Sequence, residues 1–259
     1  MGQNFLVDEV VLAELVEAAQ LKKTDTVVEV GPGLGVLTQE LVKRAGKVIA
    51  VEKDENLYQI LKNMYSTSHN PSYSRRGIKI VNQDILKFHL DKYINEPYKV
   101  VANIPYYLTS KLLQHFLTLE NKPKLMVFMI QKEVGERIVA APGKLSILGI
   151  SVQVFSNPLI VSEVSKTSFW PVPKVDSVIL QITPKNKYPE IENEKLFFKI
   201  LKIAFSGKRK QIHNTLSSGL KIEKEKLLRI FESINIDPKL RPQDLTIEQW
   251  IELYKRIRV

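Results

Sequence analysis

The chain has 259 residues, 44% hydrophobic, 25% charged and 8% aromatic, which excludes disordered and collagen-like classes and suits one sizeable domain with a small appendage. It has no cysteine, which excludes disulfide scaffolds, thiol nucleophiles, iron–sulfur clusters and thiolate zinc sites. Its formal charge is +10, and the stretch from Lys185 onward holds 17 basic against 10 acidic residues, so the excess sits in the last third and favours a polyanionic partner, nucleic acid ahead of a membrane.

No run nears the ~18 apolar residues of a membrane span, and MGQNFLVDEVV lacks the basic, apolar and small-residue order of a secretory leader; no membrane and a cytoplasmic location are expected. Four apolar, β-branched runs follow: TVVEV from Thr26, KVIAV from Lys47, IKIVN from Ile78 and YKVVAN from Tyr98. They read as buried parallel strands. Between them, residues 36–44, 54–63 and 85–93 have helical spacing, with Asp54 as a candidate N-cap. The polar stretch 66–77 reads as a surface loop. A fifth strand is expected at 124–130, a helix from Ser146, and two further strands in LIVSEV from Leu159 and VDSVILQIT from Val175, a pair that can run antiparallel. After Pro184 only helical segments remain, at 194–205, 208–217, 224–234 and 247–257, which places a domain boundary between residues 1–184 and 185–259.

The first chemical signal is EVGPGLG, whose Gly31, Gly33 and Gly35 permit a tight turn between a strand and a helix and let a ligand approach the backbone. Glu52 ends the second strand, where a carboxylate can accept hydrogen bonds from both ribose hydroxyls of an adenosine. An ordinary strand–turn–helix glycine cluster is the alternative for the glycines alone. Asp84 follows the third strand and serves equally as an acceptor for an adenine amino group or as a helix N-cap. The fourth strand runs into NIPYYLTS. There Asn103 and a backbone carbonyl near Ile104 or Pro105 can accept both hydrogens of an exocyclic amine while Tyr106 stacks on the base; a plain proline turn is the competing account. Lys208, Arg209 and Lys210 form a basic cluster that either grips phosphates from a helix start or is a solvated helix face. The four histidines lack metal-ligand spacing, so no metal is expected.

GQNFL from Gly2, VEVGPGLGVLT from Val28, VEKD from Val51, NIPY, QKEV from Gln131 and FWPVPKVDS from Phe169 together resemble the small-subunit ribosomal RNA adenine N6,N6-dimethyltransferase family. The resemblance implies an α/β fold: a Rossmann-like, seven-stranded S-adenosylmethionine-dependent methyltransferase domain followed by a small C-terminal helical RNA-binding domain. It implies S-adenosylmethionine as methyl donor, and dimethylation of two adjacent adenines in a hairpin loop of 16S rRNA, with a role in ribosome maturation. The partner is small-subunit rRNA or a pre-30S particle, met by a monomer. Carried over by position, Asn4, Leu6, Gly31, Gly33, Gly35, Glu52, Asp84 and Asn103 contact the donor or lie beside it. Asn103 to Tyr106 hold the target base, with Phe169 closing its second face. Trp170 and Val172 stand where the family often has Thr and Pro, a difference expected to be absorbed by packing. A macrolide-resistance methyltransferase acting on large-subunit rRNA is the competing enzyme, though its glycine turn typically reads GSGKG. A non-catalytic RNA-binding assembly factor is the alternative of another class.

Overall fold

The computed structural model describes residues 4–65, 77–185, 188, 190–207 and 209–257. The elements of its first part are β1 (Phe5–Leu6), α1 (Glu9–Ala18), β2 (Thr26–Val30), α2 (Val36–Arg44), β3 (Lys47–Glu52), α3 (Glu55–Tyr65), β4 (Ile78–Asn82), β5 (Tyr98–Asn103), α4 (Thr109–Thr118), β6 (Leu125–Gln131), α5 (Lys132–Ile138) and α6 (Ile147–Phe155). They are followed by β7 (Ser156–Val164), β8 (Phe169–Trp170), β9 (Ser177–Pro184), α7 (Glu194–Phe205), α8 (Ile212–Leu220), α9 (Lys224–Ser233) and α10 (Ile247–Ile257).

Seven strands form one sheet in the order β4-β3-β2-β5-β6-β9-β7. The pairs β4–β3, β3–β2, β2–β5 and β5–β6 are parallel and β6–β9 is antiparallel. The chain leaves β2 in one direction, returns, and continues from β5 in the other, so the carboxyl ends of β2 and β5 flank the point where strand order reverses. Open parallel sheets bind ligands there. Every residue of β2 is buried, as a central strand covered on both faces requires. The strands β4 and β7 are partly exposed because they are the sheet's edges, a correction to the expectation that IKIVN is a buried strand.

The Asp8 carboxylate caps α1 by accepting from the Val10 and Val11 N–H groups, and its other oxygen accepts from the Ser168 hydroxyl at 2.8 Å. The start of α1 is thereby tied to the segment that enters β8, and β1 and β8 pair as a separate two-stranded antiparallel ribbon. Asp54 caps α3 as expected, accepting from Asn56 and Leu57. Residues 85–93 are not one helix. They form two 3-10 turns, Ile85–Lys87 and Leu90–Lys92, because Phe88 between them is extended at ψ 122°. The 66–76 part of the expected surface loop lies outside the described residues.

By contacts the chain divides into two compact units, one of residues 1–135 and 157–184 and the other of residues 136–156 and 185–259. The segment 136–156, expected in the first domain, thus belongs to the helical unit. The cause is α6, which buries Gly149, Ile150, Val152, Val154 and Phe155 and packs on α7 and α10, with the Phe155 and Phe198 rings 6.2 Å apart. The helical unit is centred on aromatic contacts, with Phe205 stacked on Trp250 at 6.0 Å and Phe197 edge-on to Tyr254 at 5.7 Å. Its α8 begins at Ile212, four residues later than the charge run suggested, because Gln211 before it is extended at ψ 141°, and the free Ile212 N–H of the helix start donates to the Leu240 carbonyl.

Candidate functional site

Within the first unit a cavity of about 600 Å³ opens at the carboxyl ends of β2, β3 and β5 and beside the β1–β8 ribbon. Ligand pockets of this kind commonly span ~300–1,000 Å³. The expected residues Asn4, Leu6, Gly31, Gly33, Glu52, Asp84, Asn103, Ile104, Pro105, Tyr106 and Phe169 all line it. Gly35 does not. Its φ of +83° and a Cβ position only 2.8 Å from Leu61 Cδ2 make it the glycine that lets α2 start against α3, a packing role rather than a ligand contact. The Gly33 backbone has φ +60° and the Phe5 ring lies 3.4 Å from where its Cβ would stand, so a side chain here would be strained and crowded.

Glu52 is 3% exposed, and each carboxylate oxygen accepts one backbone hydrogen bond, from Gly33 N–H at 3.1 Å and from Asp54 N–H at 2.9 Å. A carboxylate offers about four acceptor positions, so capacity for two further donors remains, which is what a ribose diol presents. Asp84 caps the 3-10 turn through Leu86 N–H at 3.1 Å, as its helix-cap alternative has it, and it also lines the cavity. The hydrogen-bonded Lys53 ammonium, 2.9 Å away, holds its carboxyl below the ordinary carboxylate range, against the opposing effect of partial burial.

Asn103 ends β5 with its Nδ2 directed at the Asn4 carbonyl at 3.4 Å, which assigns the amide so that Oδ1 is left as acceptor. The Ile104 N–H donates to the Met129 carbonyl, fixing the turn to the neighbouring strand, and the Pro105 carbonyl accepts from Leu108 N–H. The Tyr106 hydroxyl lies 3.1 Å from Ser177 Oγ, which limits the swing of its ring. Phe169 is 3% exposed in β8 and belongs to the core cluster, with one side on the cavity.

The motifs do not single out Glu29, which the structure places on the cavity. This carboxyl is 1% exposed, lines the cavity, and has no hydrogen-bond partner on either oxygen. Burial pushes its pKa up to about 8; the nearby Thr38 hydroxyl opposes this in part, although it too lacks a partner at hydrogen-bond geometry, and the negative charge of Glu52 adds to the rise. An acidic residue inside an otherwise apolar strand was the available signal. Of the basic cluster, Arg209 and Lys210 are exposed in the turn before α8 rather than on the helix, and Lys208 lies outside the described residues. Among the described residues no three acidic or histidine side chains are grouped to hold a metal, and no helix is long and apolar enough to cross a membrane.

A family model described as ribosomal RNA adenine dimethylase matches residues 1–258. The ribosomal RNA small subunit methyltransferase A of Dehalococcoides mccartyi (strain BAV1) is 43% identical over 256 residues, covering 98% of this chain and 86% of that protein. The protein of the same name from Alkaliphilus metalliredigens is 40% identical over 267 residues, covering 99% and 90%. Among solved structures, a dimethyladenosine transferase from Plasmodium falciparum superposes with a TM-score of 0.80 at 27% identity, over 96% of this chain and 95% of that one. The 23S rRNA methyltransferase ErmE does so at 0.76 and 27%, over 99% and 100%.

Proposed function

Because the chain belongs to the ribosomal RNA adenine dimethylase family, we propose that it is the enzyme that dimethylates the N6 amino groups of two adjacent adenines in a hairpin loop of small-subunit (16S) rRNA. It uses S-adenosylmethionine and acts in ribosome maturation. The observation that carries the reading is the convergence of Glu52, Asp84 and the Asn103–Tyr106 turn on one cavity, in a chain 43% identical to a small-subunit methyltransferase across nearly its whole length. The 27% identity to the 23S enzyme is the weaker likeness, and with GPGLG in place of GSGKG the large-subunit alternative is not favoured.

The cavity fits the donor: the Gly31–Gly33 backbone leaves room for it, Glu52 keeps acceptor capacity for ribose hydroxyls, Asp84 on the lining offers a carboxylate to an adenine amine, and Asn4 and Leu6 line the ribbon side. Once bound, S-adenosylmethionine supplies an electrophilic methyl group on a sulfonium. Adenine's amino nitrogen is a weak nucleophile because its lone pair is delocalised into the ring. By accepting from the amine, Asn103 Oδ1 and a carbonyl of the Ile104–Pro105 turn favour a pyramidal nitrogen, and that preference strengthens toward the transition state. Tyr106 stacks on one face of the flipped base and Phe169 closes the other.

The helical residues beyond Lys185, with Lys208, Arg209 and Lys210, hold RNA phosphates, and the protein works as a cytoplasmic monomer on small-subunit rRNA or a pre-30S particle. Incubation with labelled S-adenosylmethionine and undermethylated small subunits, followed by mapping of labelled nucleotides, tests the reading. Label on two adjacent adenines of one hairpin loop is expected. Label confined to large-subunit RNA would move the assignment to the competing enzyme, and RNA binding without transfer would make the chain an assembly factor.

A further inference from the structure

Trp170 is not absorbed by packing: it is 69% exposed, whereas the chain's other tryptophan, Trp250, is fully buried. A large ring left in water is unfavourable by roughly the burial it forgoes, so its position is informative. In the antiparallel ribbon Trp170 is the direct partner of Phe5, so both side chains leave on the same face, with Cβ atoms typically ~4.5–5.5 Å apart. Phe5 lines the cavity and covers Gly33. Trp170 does not itself line the cavity but is the cross-strand neighbour of a ring that does. Tyr107, 76% exposed, marks a second aromatic point on the cavity lining. Val7, next after β1, and Val172, two residues beyond β8, are 61% and 57% exposed. Lys166 and Lys174 flank Trp170 in sequence, are exposed, and form no ion pair among the described residues, while Asp176 accepts from the Lys166 backbone N–H and Glu163 is bonded to Lys132.

We propose that Trp170 is a stacking platform for an unpaired RNA base next to the target adenine, so that the loop is held open on the rim while one base enters the cavity. This rests on the reading of the chain as an RNA base methyltransferase. A flipped base leaves its neighbours unstacked, and an exposed indole one cross-strand neighbour away from the cavity lining offers them a new stacking face. The flanking lysines suit the phosphates on either side. A protein partner fits less well, because a few side chains fall far short of the ~20 residues a side of a stable interface.

The two tryptophans differ so much in exposure that emission separates them. Titration with the small-subunit hairpin loop is expected to quench wild-type fluorescence and shield it from acrylamide, with neither effect in Trp170→Phe, where only Trp250 emits. Trp170→Ala is expected to weaken RNA affinity roughly 5- to 100-fold, the range of a lost base–aromatic stack, with Trp170→Phe restoring most of it and Trp170→Leu little. Affinity for S-adenosylmethionine should be unchanged in all three. Unaltered emission on RNA binding, equal affinities of Trp170→Ala and wild type, rescue by Leu as good as by Phe, or loss of self-association in place of RNA affinity would each overturn the inference. Methyl transfer by the wild type to undermethylated small subunits is measured in parallel. Its failure would sink the function, whereas its success beside a silent Trp170 would sink only the platform.

Discussion

Glu29 gives a measurable pH dependence that isolates one side chain. Its pKa is about 8 in the folded protein against 4.5 for the unhindered group, so between these values the folded state holds a proton that the unfolded state has released. The contribution of this group to stability is then greatest below pH 4.5 and falls as pH rises, by ~1.4 kcal/mol per pH unit, until the carboxyl ionises in both states above pH 8. From pH 5 to pH 8 the loss from this group is about 4 kcal/mol. Glu29→Gln keeps the shape of the neutral acid and cannot ionise, so it removes this component and leaves every other titration in place. Urea unfolding at intervals from pH 5 to pH 9 should show wild type and variant close together at the acid end. The variant should gain ~4 kcal/mol relative to wild type by pH 8. The magnitude comes from burial, since neither carboxyl oxygen has a partner to stabilise a charge. Parallel profiles for the two proteins would mean that Glu29 is ionised and satisfied throughout, and would refute the argument.

Glu52→Ala should weaken S-adenosylmethionine binding by ~1.5–3 kcal/mol, read by calorimetric titration of the folded variant, because charge-assisted hydrogen bonds to the ribose are lost; unchanged affinity removes Glu52 from the site. Asn103→Ala should slow single-turnover methyl transfer at saturating RNA much more than it weakens RNA binding, and a near-normal rate would discard its proposed role in activating the amine. Changing Lys208, Arg209 and Lys210 together to Gln should lower RNA affinity whatever the loop sequence and flatten the slope of log affinity against log salt by up to about three contacts' worth, with donor binding intact; superimposable salt plots would return the cluster to a solvated surface. Gly35→Ala should destabilise the fold, since φ +83° is unfavourable for alanine and Leu61 Cδ2 stands 2.8 Å from the new Cβ. A thermal midpoint equal to wild type would contradict that packing role.

The cavity was legible in the sequence because a parallel sheet converts chain order into place. Residues that end or directly follow β2, β3 and β5 must emerge at one edge, so chain order alone brings Gly31, Glu52 and Asn103 together. What escaped was set by partners distant in the chain. The ribbon joins Phe5 to Trp170 through two-residue strands too short to show any period, and nothing near Trp170 in sequence says that its neighbour covers Gly33. Lysine and arginine are good helix formers, so GKRKQIHNTL read as helix from Lys208, yet Gln211 is extended and the first turn begins only at Ile212, its N–H bonded to the distant Leu240 carbonyl. The α6 segment looked like part of the alternating sheet-and-helix domain, but its apolar surface is covered by α7 and α10, which begin at Glu194 and Ile247, far along the chain. Glu29 shows the same limit at the level of charge. Its place in TVVEV was visible, but its neutrality follows from the burial of both oxygens without a donor, a property of packing that no local pattern encodes. Residue types at strand ends therefore reveal which ligand the site can hold, while the rim and the charge state that decide how it is held arise only when distant segments meet.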